Sequence, residues 1–250
     1  MDGYINLLGV TISLDNAKTA IEKTQMFLGS QGRHVIRFVD TKACTLASED
    51  AECAKMIENS DYVLPADLST EQGIKELIDG YREVFWHREY FDALFGWAAE
   101  TGQEIYFVTS TEKEYTDIAQ TIKARFPYLS LHGKAIETLG DTVNYDVLAN
   151  DINSVAPTVL FFYINVKLQN TLMQECGELL NAALIICGIG MLEDVIVEQK
   201  TTPEEDAPLK EKFSARTINF MKRIHTTMVG EVFKNRVKNS RKDEQDGDAE

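Results

Sequence analysis

Short apolar runs alternate with amphipathic helical patterns along this chain, and that alternation constrains the fold most. Three of the runs, Tyr62–Pro65, Thr158–Ile164 and Ala183–Cys187, stop abruptly at polar or glycine residues. Strands that alternate with helices of about ten to fifteen residues favour right-handed βαβ crossovers. The pattern therefore predicts an α/β fold, a Rossmann-like, mainly parallel sheet with helices on both faces. In such a sheet ligands bind at the carboxyl ends of the strands.

Periodicity and capping residues set the other expected elements. A strand or tight hairpin is expected at Tyr4–Ile12, and further strands at His34–Val39, Glu104–Val108 and, more weakly, Leu129–Leu131. Helices are expected at Ala17–Leu28 with Asp15 as its cap, from Asp40 or Thr41 to about Asn59, from Ser69 or Thr70 onward, and at Glu89–Glu100, Glu112–Arg125, Tyr145–Val155 and Leu168–Asn181.

Composition indicates an ordinary globular protein. The 250 residues are 44% hydrophobic, and no apolar run approaches the length of about 18 residues that a membrane span needs. The first residues lack a secretory pattern, so a cytoplasmic location is expected. The four cysteines and four histidines form no metal-ligand spacing, which favours buried free thiols. We predict no cofactor, no metal site and no nucleic-acid partner.

Charge and proline content divide the chain. Residues 1–200 are expected to form the Rossmann-like domain, 201–208 an acidic proline-containing linker, 209–241 a basic amphipathic helical appendage, and 242–250 an acidic disordered tail. Between Leu209 and Lys242, ten lysines and arginines face two glutamates, although the whole chain carries −15. The appendage either contacts an anionic surface, such as the inner face of the cell membrane, or is a solvated helix face.

Several motifs resemble those of the WecG/TagA/CpsF glycosyltransferases, also called glycosyltransferase family twenty-six. Asn59–Pro65 resembles the family's A-D-L-V-L-P, Gly102–Val108 its G-x-x-V-F-L-L, and Arg125–Pro127 its R-Y-P. Gly188-Ile-Gly190 with Asp194 resembles its G-V-G-G-A-F-D. The resemblance implies a Rossmann-like fold and transfer of N-acetylmannosamine or a related sugar from UDP to a lipid-linked acceptor. It also implies a C-terminal appendage that helps to bind the donor and the membrane.

The positions that would carry the chemistry differ from the family pattern. Where the family has L-P-D-G, with an aspartate proposed as base, this chain has Leu64-Pro-Ala-Asp67, so the carboxylate lies one residue later. T-P-N becomes Phe38-Val-Asp40, and R-V-x-G-[ST]-D becomes Val84-Phe-Trp-His-Arg-Glu89. Asp67 and Glu89 are therefore the candidate catalytic bases. A helix cap is the alternative role for Asp67.

The candidate substrate-binding residues also follow strand ends or the resemblance. Thr109-Ser110 replaces the family's glycine pair, and of G-L-G-A-P-K-Q-E only Gln169 is retained. Arg223, in a segment that loosely resembles W-L-Y-R, is the candidate for the donor diphosphate. A tight turn is the alternative for the glycine pair at 188 and 190. The full set is Asp40, Thr109, Ser110, Asn165, Gln169, Gly188, Gly190 and Arg223.

Two functions of different class follow from this comparison. The first is a UDP-sugar-dependent hexosyltransferase of cell-surface polysaccharide synthesis with an altered site. The second is a non-catalytic relative that keeps the fold and uses its surface, or a remnant ligand pocket, for assembly with other proteins. Under either function, the apolar appendage could join the chain into a dimer or trimer. Scaffold positions persist while ligand-facing positions change in kind, which favours loss or replacement of the ancestral chemistry.

Overall fold

The computed structural model describes residues 3–78, 81, 85–139, 143–192 and 232–239, which form an α/β fold. A two-stranded antiparallel hairpin precedes a six-stranded parallel sheet with the order β4-β3-β8-β7-β5-β6. The strands are β1 (Tyr4–Leu7), β2 (Val10–Ser13), β3 (His34–Val39), β4 (Tyr62–Pro65), β5 (Glu104–Thr109), β6 (Ser130–Ala135), β7 (Val159–Tyr163) and β8 (Leu184–Cys187). The expected Rossmann-like, mainly parallel architecture is confirmed.

Helices cover both faces of this sheet. They are α1 (Ala17–Gly29), α2 (Thr41–Glu49), α3 (Ala51–Glu58), α4 (Leu68–Leu77), α5 (His87–Thr101), α6 (Glu112–Arg125), α7 (Tyr145–Val155), α8 (Val166–Cys176) and α9 (residues 232–239). One apolar core lies under α1, α5 and α6. The opposite face carries a core under α7 and α8, and a third cluster joins the hairpin, α2, α3, α4 and α9.

The direction of each crossover matches the face that its helix covers. Chain segments that move from β4 towards β6 pass over the α5 and α6 face, whereas segments that move the other way pass over the opposite face. This is the pattern of right-handed crossovers. The connections after β5 and β7 leave in opposite directions, and these strands are neighbours. A topological switch point, where open α/β sheets bind ligands, therefore lies between them.

Three local predictions are wrong. Asn16, not Asp15, caps α1, because its side chain accepts a hydrogen bond from the Thr19 amide at 3.0 Å. Asp15 instead accepts hydrogen bonds from Lys23, Tyr62 and Ser13. The single helix expected from Asp40 or Thr41 to Asn59 is two helices, because Asp50 leaves the helical conformation and caps α3. The helix expected to reach Asn181 ends at Cys176 and continues as a short 3-10 turn.

Helix α9 is the part of the predicted appendage that the structure describes, and it packs on the body. Phe233 and Val237 are buried in the cluster that contains Leu7 and Ile74. The rest of 209–241, the linker 201–208 and the tail 242–250 lie outside the described residues. Among the described helices, none combines the length and the apolar character that a membrane span requires.

Candidate functional site

The carboxyl edge of the sheet brings most of the predicted site residues onto one rim. In spatial order, Asp67 follows β4, Asp40 follows β3, the Gly188–Gly190 turn follows β8, Asn165 follows β7, and Thr109-Ser110 closes β5. Neighbouring strands lie about 4.8 Å apart, so the tips of β4 and β7 are separated by about 14 Å.

Asp40 and Asp67 cap the two helices that start beside each other at the rim. The Asp40 carboxylate accepts from the Ala43 amide at 2.7 Å. Asp67 Oδ1 accepts from both the amide and the hydroxyl of Thr70, each at 2.7 Å. Among the described residues, Asp67 Oδ2 receives no hydrogen bond. Asp67 is therefore a helix cap with one oxygen left for a ligand; its role as a base stays a prediction.

The two carboxylates are close enough to affect each other. Burial raises the pKa of Asp40, and the negative charge of Asp67 raises it further, against the lowering effect of the Ala43 amide. Cys44 lies behind them in α2, where burial and then the charges of Asp40 and Asp67 raise the pKa of its thiol. This thiol is therefore protonated at neutral pH.

On the α5 side, aromatic rings fill the tips of β3, β4 and β8. Phe38 is 2% exposed, and its ring centroid lies 5.3–5.9 Å from four other rings. These rings belong to Phe85, His87, Tyr90 and Phe91. His87 is buried, with Nε2 at 2.8 Å from the Pro65 carbonyl oxygen. Trp86 is 65% exposed.

Beside these rings lies a buried carboxylate that is not among the predicted site residues. Glu71 of α4 is 2% exposed, and its Oε1 accepts from the Phe85 amide at 3.0 Å. This bond fixes the segment before α5 against α4. A glutamate in the first turn of a helix has an ordinary explanation in the helix dipole, so nothing in its spacing indicated burial.

Asn165 and Gln169, both predicted to bind substrate, occupy different environments. Asn165 is exposed and caps α8 by accepting from the Leu168 amide at 3.1 Å. Gln169 is 2% exposed and has both amide groups engaged: Nε2 donates to the Ile164 carbonyl at 2.6 Å and Oε1 accepts from Arg37 at 3.0 Å. Gln169 therefore supports the rim from below.

Arg37, a buried residue beneath the rim, is not among the residues that the sequence patterns point to. It lies in β3, is 1% exposed, and donates to Ser60, Gln169 and Asn170. These neutral oxygens belong to the α3–β4 connection and to α8, so one guanidinium joins three elements beneath the rim. The visible clue was an arginine inside the apolar run His34–Val39, since a buried charge requires specific partners.

The remaining predicted residues vary in exposure and packing. Thr109 is buried and donates to the Thr111 carbonyl, while the Ser110 amide donates to Glu114 in the capping box of α6. A Cβ at Gly188 would lie 2.8 Å from Phe38 Cβ, and Gly190 has φ +85°, so both positions favour glycine. Glu89 is exposed in the first turn of α5, and Arg223 lies outside the described residues.

The described ranges contain no assembled metal-binding site and no exposed cysteine. Within residues 3–78, 81, 85–139, 143–192 and 232–239, no three histidine, cysteine or acidic side chains are grouped to hold a metal ion. The four cysteines are free and buried, as the sequence predicts.

The rim thus combines two unlike halves. The β3–β4 half holds two carboxylates at helix N-caps. The β7–β8 half holds a glycine turn and the N-terminus of α8, whose cap is the neutral Asn165. Helix N-termini with neutral caps suit anions, and glycine turns allow close backbone approach.

Comparison with known proteins agrees with this architecture. No curated protein matches the chain. Residues 5–204 match the glycosyl transferase WecG/TagA/CpsF family, which covers the hairpin, the whole parallel sheet and the rim. The chain therefore belongs to the WecG/TagA/CpsF glycosyltransferase family.

Proposed function

We propose that the rim holds a UDP-linked N-acetylhexosamine, such as UDP-N-acetylmannosamine, and that the chain transfers this sugar to a lipid-linked acceptor in cell-surface polysaccharide synthesis. This sugar transfer would take place at the inner face of the cell membrane. The observation that carries the proposal is the order of the rim, in which the anion-compatible β7–β8 half adjoins the carboxylate pair of the β3–β4 half.

The diphosphate would lie at the α8 N-terminus and the Gly188–Gly190 turn, where backbone amides and the helix dipole favour phosphate oxygens. Arg223 is proposed to reach the same diphosphate from the appendage. With the diphosphate in that half, the sugar would extend over β3 towards Asp40 and Asp67, within one or two strand spacings of about 4.8 Å each.

Asp67 is the better placed of the two candidate bases. Its Oδ1 is fixed by two hydrogen bonds from Thr70, which orients Oδ2 without engaging it. A base must lie within hydrogen-bond reach of the hydroxyl whose proton it removes. Glu89 is exposed on α5, and its reach towards the sugar would depend on the acceptor.

Transfer is tested with a pair of matched substitutions. Asp67→Asn should lower the rate of sugar transfer by about 10²-fold or more, since a general base contributes on that scale. Asp50→Asn is the control, because Asp50 also caps a helix through its carboxylate but lies at the start of α3. Asparagine is a good helix cap, so both variants should stay folded. Equal rates in both variants would reject Asp67 as the base.

A second candidate function is a non-catalytic relative that acts in a protein assembly. The specific observation in its favour is the packing of Phe38 and His87, at positions where the resemblance to the family implies threonine and glycine. Calorimetric titration of the full chain with UDP, UDP-N-acetylglucosamine and UDP-N-acetylmannosamine separates the two. Micromolar binding that Arg223→Ala weakens supports the transferase. Absence of heat with every nucleotide supports the non-catalytic relative.

A further inference from the structure

Arg37 lies beneath the β7–β8 half of the rim. It stands two residues before the end of β3 and pairs in register with Cys187, the last residue of β8. The strand residues on either side of it belong to the core under α5, so its side chain enters the opposite face of the sheet. There its Nη1 donates to Gln169 at 3.0 Å and to Asn170 at 3.1 Å. The guanidinium is therefore held between β3 and α8.

This buried cation forms no ion pair with a carboxylate in the part of the chain that the structure describes. Its third acceptor is Ser60 Oγ at 3.2 Å, so all of its acceptors, like the two amide oxygens of α8, are neutral. Arginine stays charged in proteins, and a buried charge is normally paired with one of opposite sign. The three oxygens accept its hydrogen bonds but leave its charge uncompensated.

The charge of Arg37 acts on both elements that form this half of the rim. Burial raises the pKa of the Cys187 thiol, and the positive charge of Arg37 opposes that rise. Cys187 directly precedes the Gly188–Gly190 turn. On the other side, Gln169 is the fourth residue of α8, so this partner of Arg37 lies about 6 Å along the helix from its cap. A charge in a low-dielectric interior acts over such a distance.

Hydrogen bonding alone does not explain an arginine at this position. A neutral donor could bond to the same oxygens without the desolvation that a buried cation costs. The charge instead adds to two other features of the β7–β8 half, the positive end of the α8 dipole and the amides of the glycine turn. The cap of α8 is the neutral Asn165, so no carboxylate at the cap offsets this charge. All three features favour an anion with more than one charge.

We propose that Arg37 is a fixed positive charge for the diphosphate of the donor, and that it acts on this ligand from beneath the β7–β8 half of the rim without touching it. Arg37 is therefore a positioning residue. It draws the diphosphate to this half and away from Asp40 and Asp67, whose carboxylates repel phosphate oxygens. The identity of the anion rests on the proposed function, whereas the charge site itself can be tested without a nucleotide.

Asn170→Asp supplies the missing counter-ion with almost no change in side-chain shape. The new carboxylate would pair with Arg37 and cancel its field at the rim, so the Kd for UDP should rise by about tenfold or more. The Kd for uridine, which carries no phosphate, should change by less than about twofold. Amide NMR titration of the full chain measures both constants. Asn144→Asp is the matched control, because it adds the same charge at the cap of α7, in a surface hollow shared with Glu175 near the carboxyl end of α8.

A purely structural role for Arg37 predicts a different result. An arginine bonds more strongly to a carboxylate than to an amide, so Asn170→Asp would then strengthen the link between β3 and α8 and leave UDP binding unchanged or tighter. That result, or equal weakening of UDP and uridine, would overturn the proposal. Arg37→Gln removes the charge and should weaken UDP binding by a second route, whereas Arg37→Lys keeps the charge and should retain most of the UDP affinity.

Inorganic pyrophosphate separates this inference from the proposed function, because it carries the charges of a diphosphate without a nucleoside or a sugar. It should raise the urea midpoint of the natural chain and of Asn144→Asp, but not that of Asn170→Asp. Equal stabilisation of all three chains, or of none, would overturn the charge site. If pyrophosphate stabilises as expected and no uridine nucleotide binds, the charge site stands and the proposed function fails. If UDP binds all three chains equally, the role of Arg37 fails and the proposed function stands.

Discussion

Replacement of Phe38 by alanine tests whether aromatic packing at the strand tips holds the fold together. The side chain is 2% exposed, and its ring packs against four others at centroid distances of 5.3–5.9 Å. Removal of such a ring costs about 3–5 kcal/mol, through lost burial and through the cavity that remains. The cost should be near the upper end, because Phe38 lies in a β-strand whose neighbours β4 and β8 restrict collapse.

Urea denaturation followed by circular dichroism measures this cost. Tyr128→Ala is the matched control, because Tyr128 is 92% exposed and its loss should change the free energy of unfolding by less than about 0.5 kcal/mol. A cost below about 1 kcal/mol for Phe38→Ala would refute the reasoning, since it would mean that the strand tips are not packed as described.

Four further substitutions test charge and helix packing. Asp15→Asn should lower the urea midpoint at pH 7 but not near pH 2. Burial raises the pKa of Asp15, but hydrogen bonds from Lys23, Tyr62 and Ser13 outweigh burial and lower this pKa. The ionised carboxylate therefore stabilises the fold above pH 3.8, and this stabilisation is lost as the pH falls. Asp40→Asn should raise the midpoint at pH 7, since burial and Asp67 raise the Asp40 pKa and the ionised form costs stability; a lower midpoint would contradict this. Gly96→Ala should stabilise by up to about 1 kcal/mol through helix propensity. Gly73→Ala should instead destabilise the protein, because the new Cβ would lie 2.7 Å from the Phe233 ring. A Cβ at residue 96 would lie 3.6 Å from Phe126, which is an ordinary contact. Equal stabilisation of both variants would contradict the docking of α9.

Local patterns predicted the strands and most helix ends because their causes are local. Thr111 with Glu114 forms a capping box, and α6 spans the predicted Glu112–Arg125. The His34–Val39 run is continuous and apolar except for Arg37, which suits a strand buried on both faces. Capping boxes and apolar runs depend on residues close together in the chain, so they can be recognised from the sequence.

The errors arose where a tertiary contact selected between neighbouring residues. Asp15 and Asn16 are both good caps, and Asn16 caps the helix because Lys23 of α1 and Tyr62, which is distant in sequence, engage Asp15. The roles of Gln169 and Arg37 were hidden for the same reason, since their hydrogen bond joins residues 132 positions apart. The candidate site was predictable as a set of strand ends, but not as to which side chains point into the protein.

An amide NMR titration with UDP-N-acetylmannosamine tests most directly whether the rim is a nucleotide-sugar site with exchanged groups. We expect amide chemical shifts to change and saturate at Asn165–Leu168 and at Gly188–Gly190, with smaller changes at Asp40 and Asp67. Amides of α3, behind the sheet, should not move. If no amide at the rim shifts, or if the shifts are confined to another surface, the rim is not the nucleotide-sugar site.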